Sequence, residues 1–121
     1  MTKKLTAEDK IAKTIEYCEY SRDIAFDNGC NVCFQIEIEN TNGRTATKVR
    51  WAGFRYTYCF ETTAFLHYAL NDSVKDARRE SKYFNNLVSV RVLIKTYKQH
   101  ILVDEEPVND YEINFERGVE I

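Results

Sequence analysis

The sequence predicts an α+β domain in which two helices cover one face of a mostly antiparallel sheet of four to five strands, in the order α-β-β-α-β-β-(β). Three observations carry this expectation. Two long stretches place apolar residues at helical spacing, several shorter ones alternate strictly between apolar and polar residues, and turn-forming residues separate them. The 121 residues fit one domain, taken as 1–121.

The first helix opens at Thr6, whose hydroxyl is placed to cap it, with Asp9 three residues later completing a capping-box variant. Ile11, Ile15, Cys18 and Ala25, joined by Ile24, return to one side of a 3.6-residue turn and are its expected core stripe. Asp27-Asn28-Gly29 ends it, because glycine takes the left-handed conformation at little cost.

In "NVCFQIEIEN" the apolar Val32, Phe34, Ile36 and Ile38 alternate with Cys33, Gln35, Glu37 and Glu39, the pattern of a strand with one wet face. Asn42-Gly43 is suited to a tight hairpin, so the next strand is expected to run antiparallel to this one. That next strand, "RWAGFRYTYCF" (50–60), changes parity. Val49 and Trp51 are apolar at odd positions, whereas Phe54, Tyr56, Tyr58 and Phe60 are apolar at even ones. A β-bulge at Gly53 restores both halves to the same face, with Trp51, Phe54, Tyr56 and Phe60 inward and Arg50, Arg55 and Thr57 outward. A second tight turn at Ala52-Gly53 is the competing reading.

The second helix is expected from about Glu61 to Phe84, with Leu66, Leu70, Val74, Ala77, Ser81 and Phe84 on its buried stripe. Asn71-Asp72-Ser73 is a place where it could break, since these side chains bond to nearby backbone. "LVSVRVLIKTYK" then alternates Val88, Val90, Val92 and Ile94 inward against Ser89, Arg91, Leu93 and Lys95 outward. "QHILVDEE" supplies a fourth strand or a continuation that Pro107 stops, and Tyr111, Ile113 and Phe115 mark a short last strand. With the helices on one side, the opposite face of the sheet is expected to be partly open.

Composition excludes several classes of function. A formal net charge of -2 gives no overall attraction to nucleic acid or anionic lipid. No segment approaches the roughly eighteen apolar residues of a membrane-spanning helix, and the start of the chain lacks the apolar run of a secretory signal, so a cytoplasmic protein without membrane partners is expected. In that setting Cys18, Cys30, Cys33 and Cys59 are read as reduced thiols.

Chemistry-bearing motifs are sparse. Cys30-Asn31-Val32-Cys33 is a CxxC without the second ligand pair a structural zinc site needs, and it enters a strand, whereas a redox CxxC places its first thiol at a helix N-terminus. His67 and His100 stand outside any motif. Asp104, Glu105, Glu106, Asp110 and Glu112 lack calcium-loop spacing and read as solvated edge charges. Glycines 29, 43, 53 and 118 are too scattered for a phosphate loop. No cofactor and no metal site are expected.

The expected function is therefore a non-catalytic binding, sequestering or inhibitor protein, not an enzyme. It would be the compact accessory kind that phages and mobile elements encode, taking a host protein or an anionic, phosphorylated small molecule such as a nucleotide. Its ligand residues are expected to be Arg50, Arg55, Arg91, Lys95 and Tyr97 on the outward sheet face, since guanidinium groups grip phosphate in two-point contacts and rings stack on bases. A nucleic-acid partner held by Lys75, Arg78, Arg79 and Lys82 on the second helix is the alternative, and a small thiol- or histidine-dependent enzyme is the third reading. Outward apolar residues such as Leu93 suggest a homodimer or higher homo-oligomer.

Overall fold

The computed structural model describes residues 4–41, 55–60 and 62–121, with side chains for 4–40 and 62–121. Its elements are α1 (Ala7–Asp27), β1 (Asn31–Thr41), β2 (Arg55–Phe60), α2 (Thr63–Phe84), β3 (Leu87–Lys98), β4 (Ile101–Pro107), β5 (Ile113–Glu116) and β6 (Val119–Glu120). The α+β class and the order of the first five elements are as expected. The sheet gains a sixth strand of only two residues, formed where Arg117 (φ 55°) and Gly118 (φ 80°) turn the chain back on β5.

Helix α1 starts as its sequence dictates. The Thr6 hydroxyl accepts from the Asp9 amide at 3.2 Å, and Asp9 in return accepts from the Thr6 amide at 3.1 Å. Its buried face is Ala7, Ile11, Thr14, Ile15, Cys18 and Ala25. Ile24 belongs to the exposed side, a correction to the expected stripe that follows from its neighbour Ala25 holding the inward position. Helix α2 runs unbroken through Asn71-Asp72-Ser73, with Thr62 as its N-cap and Asn85 in the left-handed conformation at its end. Leu66, Leu70, Val74, Ala77 and Ser81 are buried as expected, whereas Phe84 lies past the covered part of the sheet and is exposed.

All strand pairs are antiparallel. The order β2-β1-β3-β5-β6 makes β3 the hub: one edge pairs with β1 along eleven residues, and the other is shared by β5 near Leu87–Val90 and by β4 near Leu93–Lys98. The hairpin from β3 into β4 turns on Gln99 and His100, both at positive φ (51° and 65°), as a two-residue turn between right-twisted strands requires. Below the helices, Val32, Phe34, Ile36 and Ile38 of β1 and Val88, Val90, Val92 and Ile94 of β3 fill one core together with Leu66, Leu70, Ile113 and Phe115.

The other face departs from expectation. Cys33, Glu37 and Leu93 are buried there, so this side of the central strands is not an open wet surface. Leu93 is paired in register with Pro107 and Gln35 and offers no free apolar patch, which removes the ground on which oligomerisation was expected. The hairpin turn at Asn42-Gly43, the bulge at Gly53, and Arg50, Trp51 and Phe54 lie outside the described residues. Within β2 the register shifts between the pairs Gln35↔Cys59 and Glu37↔Tyr56, where β2 spends one more residue than β1.

Candidate functional site

The expected ligand residues on β3 are held by partners within the chain. Arg91 donates from Nε to Glu37 Oε1 at 2.9 Å and from Nη1 to Asn109 Oδ1 at 3.0 Å. Glu37, only 3% exposed, sits directly across from Arg91 in the β1–β3 register, so the strand pairing itself builds this ion pair. Lys95 lies 3.7 Å from Glu105, its register partner on β4. Arg55 is the first residue of β2, across from Ile38, and Arg50 is outside the described residues.

Glu112, whose carboxyl is pushed up by burial, shares this region with Arg91, which pulls it down, and with Glu39 and Glu37, which push it further up. One guanidinium among three carboxylates is a structural knot. It has little left over for an external anion.

Tyr97, the remaining expected ligand residue, is placed differently. It pairs with Asn31 and lines a cavity of about 630 Å³ at the end of the sheet. Phe26 from the last turn of α1, Asn31, Val32 and Cys33 from the start of β1, the N-cap Thr62 of α2 and His100 of the β3–β4 turn complete its described lining. Local structure brings these together: the Cys30 amide bonds back to the Ala25 carbonyl at 2.8 Å, turning the chain from α1 straight into β1 beside Phe26. The Gln99-His100 turn folds His100 back toward Tyr97. The first turn of α2 contains no acidic residue of its own, and the carboxylate at that end is Glu19 of α1, which accepts from the Thr63 hydroxyl at 3.3 Å.

Sequence reasoning missed Phe26, Asn31, Thr62 and His100. Phe26, Asn31 and Thr62 stand where α1 ends and β1 and α2 begin, which was the detectable signal for them, whereas His100 lies in the β3–β4 turn.

A second depression runs between α1 and β4. Tyr17 donates its phenol proton to Glu106, a bond that raises the Tyr17 pKa, with burial and the Glu106 charge adding to it. Pockets of about 340 and 290 Å³ lie on either side, one lined by Asn109, Asp110 and Tyr111, the other by Tyr20, Ile24 and Asp104. Glu105 and Glu106 are therefore engaged with Lys95 and Tyr17, and are not merely solvated edge charges as expected.

The thiols do not form a dithiol. Cys33 is disulfide-bonded, contrary to the expectation of reduced cysteines, and its partner lies outside the described side chains, because Cys18 and Cys30 are free. Cys33 is buried on the face away from the helices, while Cys30 packs against the core under them. Two residues three apart on an extended chain point to opposite sides, about 10 Å apart, so this CxxC cannot close on itself. Burial pushes the Cys18 thiol up to about 12, with help from the Glu106 and Glu19 charges, which leaves it unreactive.

His67 is exposed on α2, five residues after Thr62, and is not part of the cavity's described lining. Among the described residues no three His, Cys, Asp or Glu side chains converge on a metal position. On α2 the basic residues Lys75, Arg78, Arg79 and Lys82 are all exposed, but Arg79 is paired with Asp76 at 2.9 Å and the Arg78 guanidinium lies 5.0 Å over the Phe115 ring. No helix is long and apolar enough to cross a membrane among the described residues. Compared with protein-family models, with curated proteins and with solved structures, the chain matches none.

Proposed function

We propose that the chain is a non-catalytic binding domain that captures an anionic small molecule in the cavity between Phe26, Tyr97, His100 and the start of α2. The observation that carries this reading is the makeup of the cavity. Its volume of about 630 Å³ lies within the size range of small-molecule sites. Phe26, Val32 and the Tyr97 ring supply apolar surface, and Asn31, Thr62, the Tyr97 hydroxyl and His100 supply hydrogen bonds. The first turn of α2 carries no acidic side chain, so this helix end contributes a positive potential for an anionic group, which Glu19 of α1, accepting from the Thr63 hydroxyl at 3.3 Å, offsets in part. Capture without turnover suits a sequestering or inhibitory accessory protein.

Native mass spectrometry of the purified protein tests this, together with thermal shift against inorganic phosphate and a nucleoside monophosphate. The expected result is a bound anion or a stabilising shift that Tyr97→Ala and His100→Ala each abolish while far-UV circular dichroism is unchanged. No bound mass and no shift, or binding that both variants retain, overturns the proposal.

A further inference from the structure

Tyr17, Tyr20 and Ile24 stand at helical spacing on the flank of α1, beside its core stripe, and line the groove between this helix and β4. Apolar surface is left in water along that flank, where Tyr20 is 62% and Ile24 43% exposed. Strand β4 sets carboxylates opposite it. Glu106 pairs in register with Ile94, which lies in the core under the helices, so alternation places Asp104 and Glu106 on the helix face and Glu105 on the other, beside Lys95. Asp110 and Tyr111 of the following loop continue the line. Three cavities, of about 340, 290 and 220 Å³, all border Tyr17, and none shares a described lining residue with the cavity at Tyr97.

The charge in this groove is unbalanced. Glu16, Asp104 and Asp110 have no ion-pair partner among the described residues, and Glu106 gives one oxygen to the Tyr17 phenol while keeping its charge. Lys13, exposed at the rim, is the one basic residue in the described lining. The Glu106 bond, burial and the charges of Glu106 and Asp110 together raise the Tyr17 pKa, so the negative potential reaches the rings themselves.

From this groove we infer that the chain binds an elongated organic polycation, a linear aliphatic polyamine, with its methylene chain along the Tyr17, Tyr20 and Tyr111 rings and its ammonium groups at Asp104, Glu106 and Asp110. Tyrosine faces attract ammonium groups, carboxylates form charge-assisted hydrogen bonds to them, and the methylenes cover Tyr20 and Ile24. Spacing selects this class over a metal ion. Asp104 and Glu106 are about 7 Å apart along the strand, and among the described residues no three His, Cys, Asp or Glu side chains converge on a metal position. Compartments at or below the small end of small-molecule sites suit an unbranched chain better than a folded partner. The inference does not depend on the anion cavity.

Equilibrium dialysis of the full chain against labelled spermidine tests it, with magnesium chloride and tetralysine as competitors. The expected result is saturable binding at one site per chain. Asp104→Asn and Asp110→Asn each weaken it by at least about tenfold, and Tyr20→Leu, which keeps the apolar bulk without the ring face, by about threefold, all with unchanged circular dichroism. Asp72→Asn, at an exposed carboxylate of α2 outside the groove, leaves the affinity unchanged. No saturable binding, a loss with Asp72→Asn equal to that with Asp104→Asn, or groove variants that bind like the unsubstituted chain overturn the inference. Displacement by equimolar magnesium as complete as by unlabelled spermidine, or tighter binding of tetralysine than of spermidine, overturns it in favour of a simple ion or a basic peptide.

Discussion

Replacing Arg91 by methionine separates a structural role for this residue from a ligand-binding one. Its Nε bonds a carboxylate, Glu37, that is 3% exposed, at 2.9 Å, and its Nη1 holds Asn109. Methionine keeps much of the aliphatic stem and removes the charge and every donor. Breaking a fully buried ion pair from one side costs about 3–5 kcal/mol, because the surviving charge loses its compensation. The Arg91 side chain is 22% exposed, so water can reach the site and the expected cost drops to about 2–4 kcal/mol. That is a large part of the stability of about 5–15 kcal/mol of an ordinary domain.

In urea unfolding followed by circular dichroism, with a slope near 1.5 kcal/mol per M, the midpoint should fall by about 1.5–2.5 M. Glu37→Gln should cost less, since the amide oxygen still accepts from Arg91 and the partly wet guanidinium tolerates a neutral partner. The double variant Glu37→Met with Arg91→Met should recover stability relative to Arg91→Met alone, because it removes the stranded carboxylate. A midpoint shift below about 0.5 M for Arg91→Met, with m unchanged, would refute the reasoning and return Arg91 to the list of residues free to meet a ligand.

Three further outcomes follow from single positions. Burial raises the Glu112 pKa in the folded chain, so its ionised form is penalised on folding once pH passes the ordinary glutamate value, and the penalty is fully present above the folded value. Glu112→Gln should therefore stabilise the protein at neutral pH, and the gain should shrink to nothing as pH falls below about 4; a gain that grows toward acid contradicts the sign. Gly118→Ala should destabilise more than Gly29→Ala. Both glycines have positive φ, but only at 118 does the new Cβ arrive 2.9 Å from Lys82 Cβ, whereas nothing lies within 4 Å at Gly29. Strain alone predicts about 1–2 kcal/mol at each, and equal losses in thermal unfolding would show that the contact yields freely. A thiol reagent should label Cys30 in the native protein and spare Cys18, which is fully buried with its pKa near 12; labelling of Cys18 before unfolding would show an opening that its packing does not permit.

Local patterns were legible where one rule decided the outcome. The Thr6–Asp9 box, the Asn28-Gly29 stop and the alternation of β1 and β3 each rest on neighbours a few residues apart, and each is seen. The helix faces were read correctly except at their margins, Ile24 and Phe84, where burial depends on how far the partner layer extends. The β3–β4 turn was hard to see because it uses Gln99 and His100 at positive φ, where sequence rules look for glycine or asparagine. Arg91 and Lys95 were correctly set on the outward side of β3, but alternation says only which face a residue occupies. What stands opposite it is decided by a register between strands that a 22-residue helix separates in sequence.

That limit explains why the expected site moved along the sheet without leaving it. An alternating strand with charges on one face predicts a wet surface only if nothing lies across from those charges except water. In this fold β3 has neighbours on both edges along most of its length, and both neighbours bring carboxylates to its cations: Glu37 to Arg91 from β1, Glu105 to Lys95 from β4. The outward face of the hub is thereby self-satisfied at its middle. At the far end of β3 the pattern changes: β4 is turning back and β1 has only begun. The residue there, Tyr97, meets Asn31 and a cavity in place of a countercharge. The same ending leaves β4 with an edge that no strand among the described residues covers. A central strand exhausts its polar face on its neighbours and keeps recognition capacity only where the neighbours stop, so the cavity proposed to hold a ligand lies at the Gln99-His100 end of the sheet.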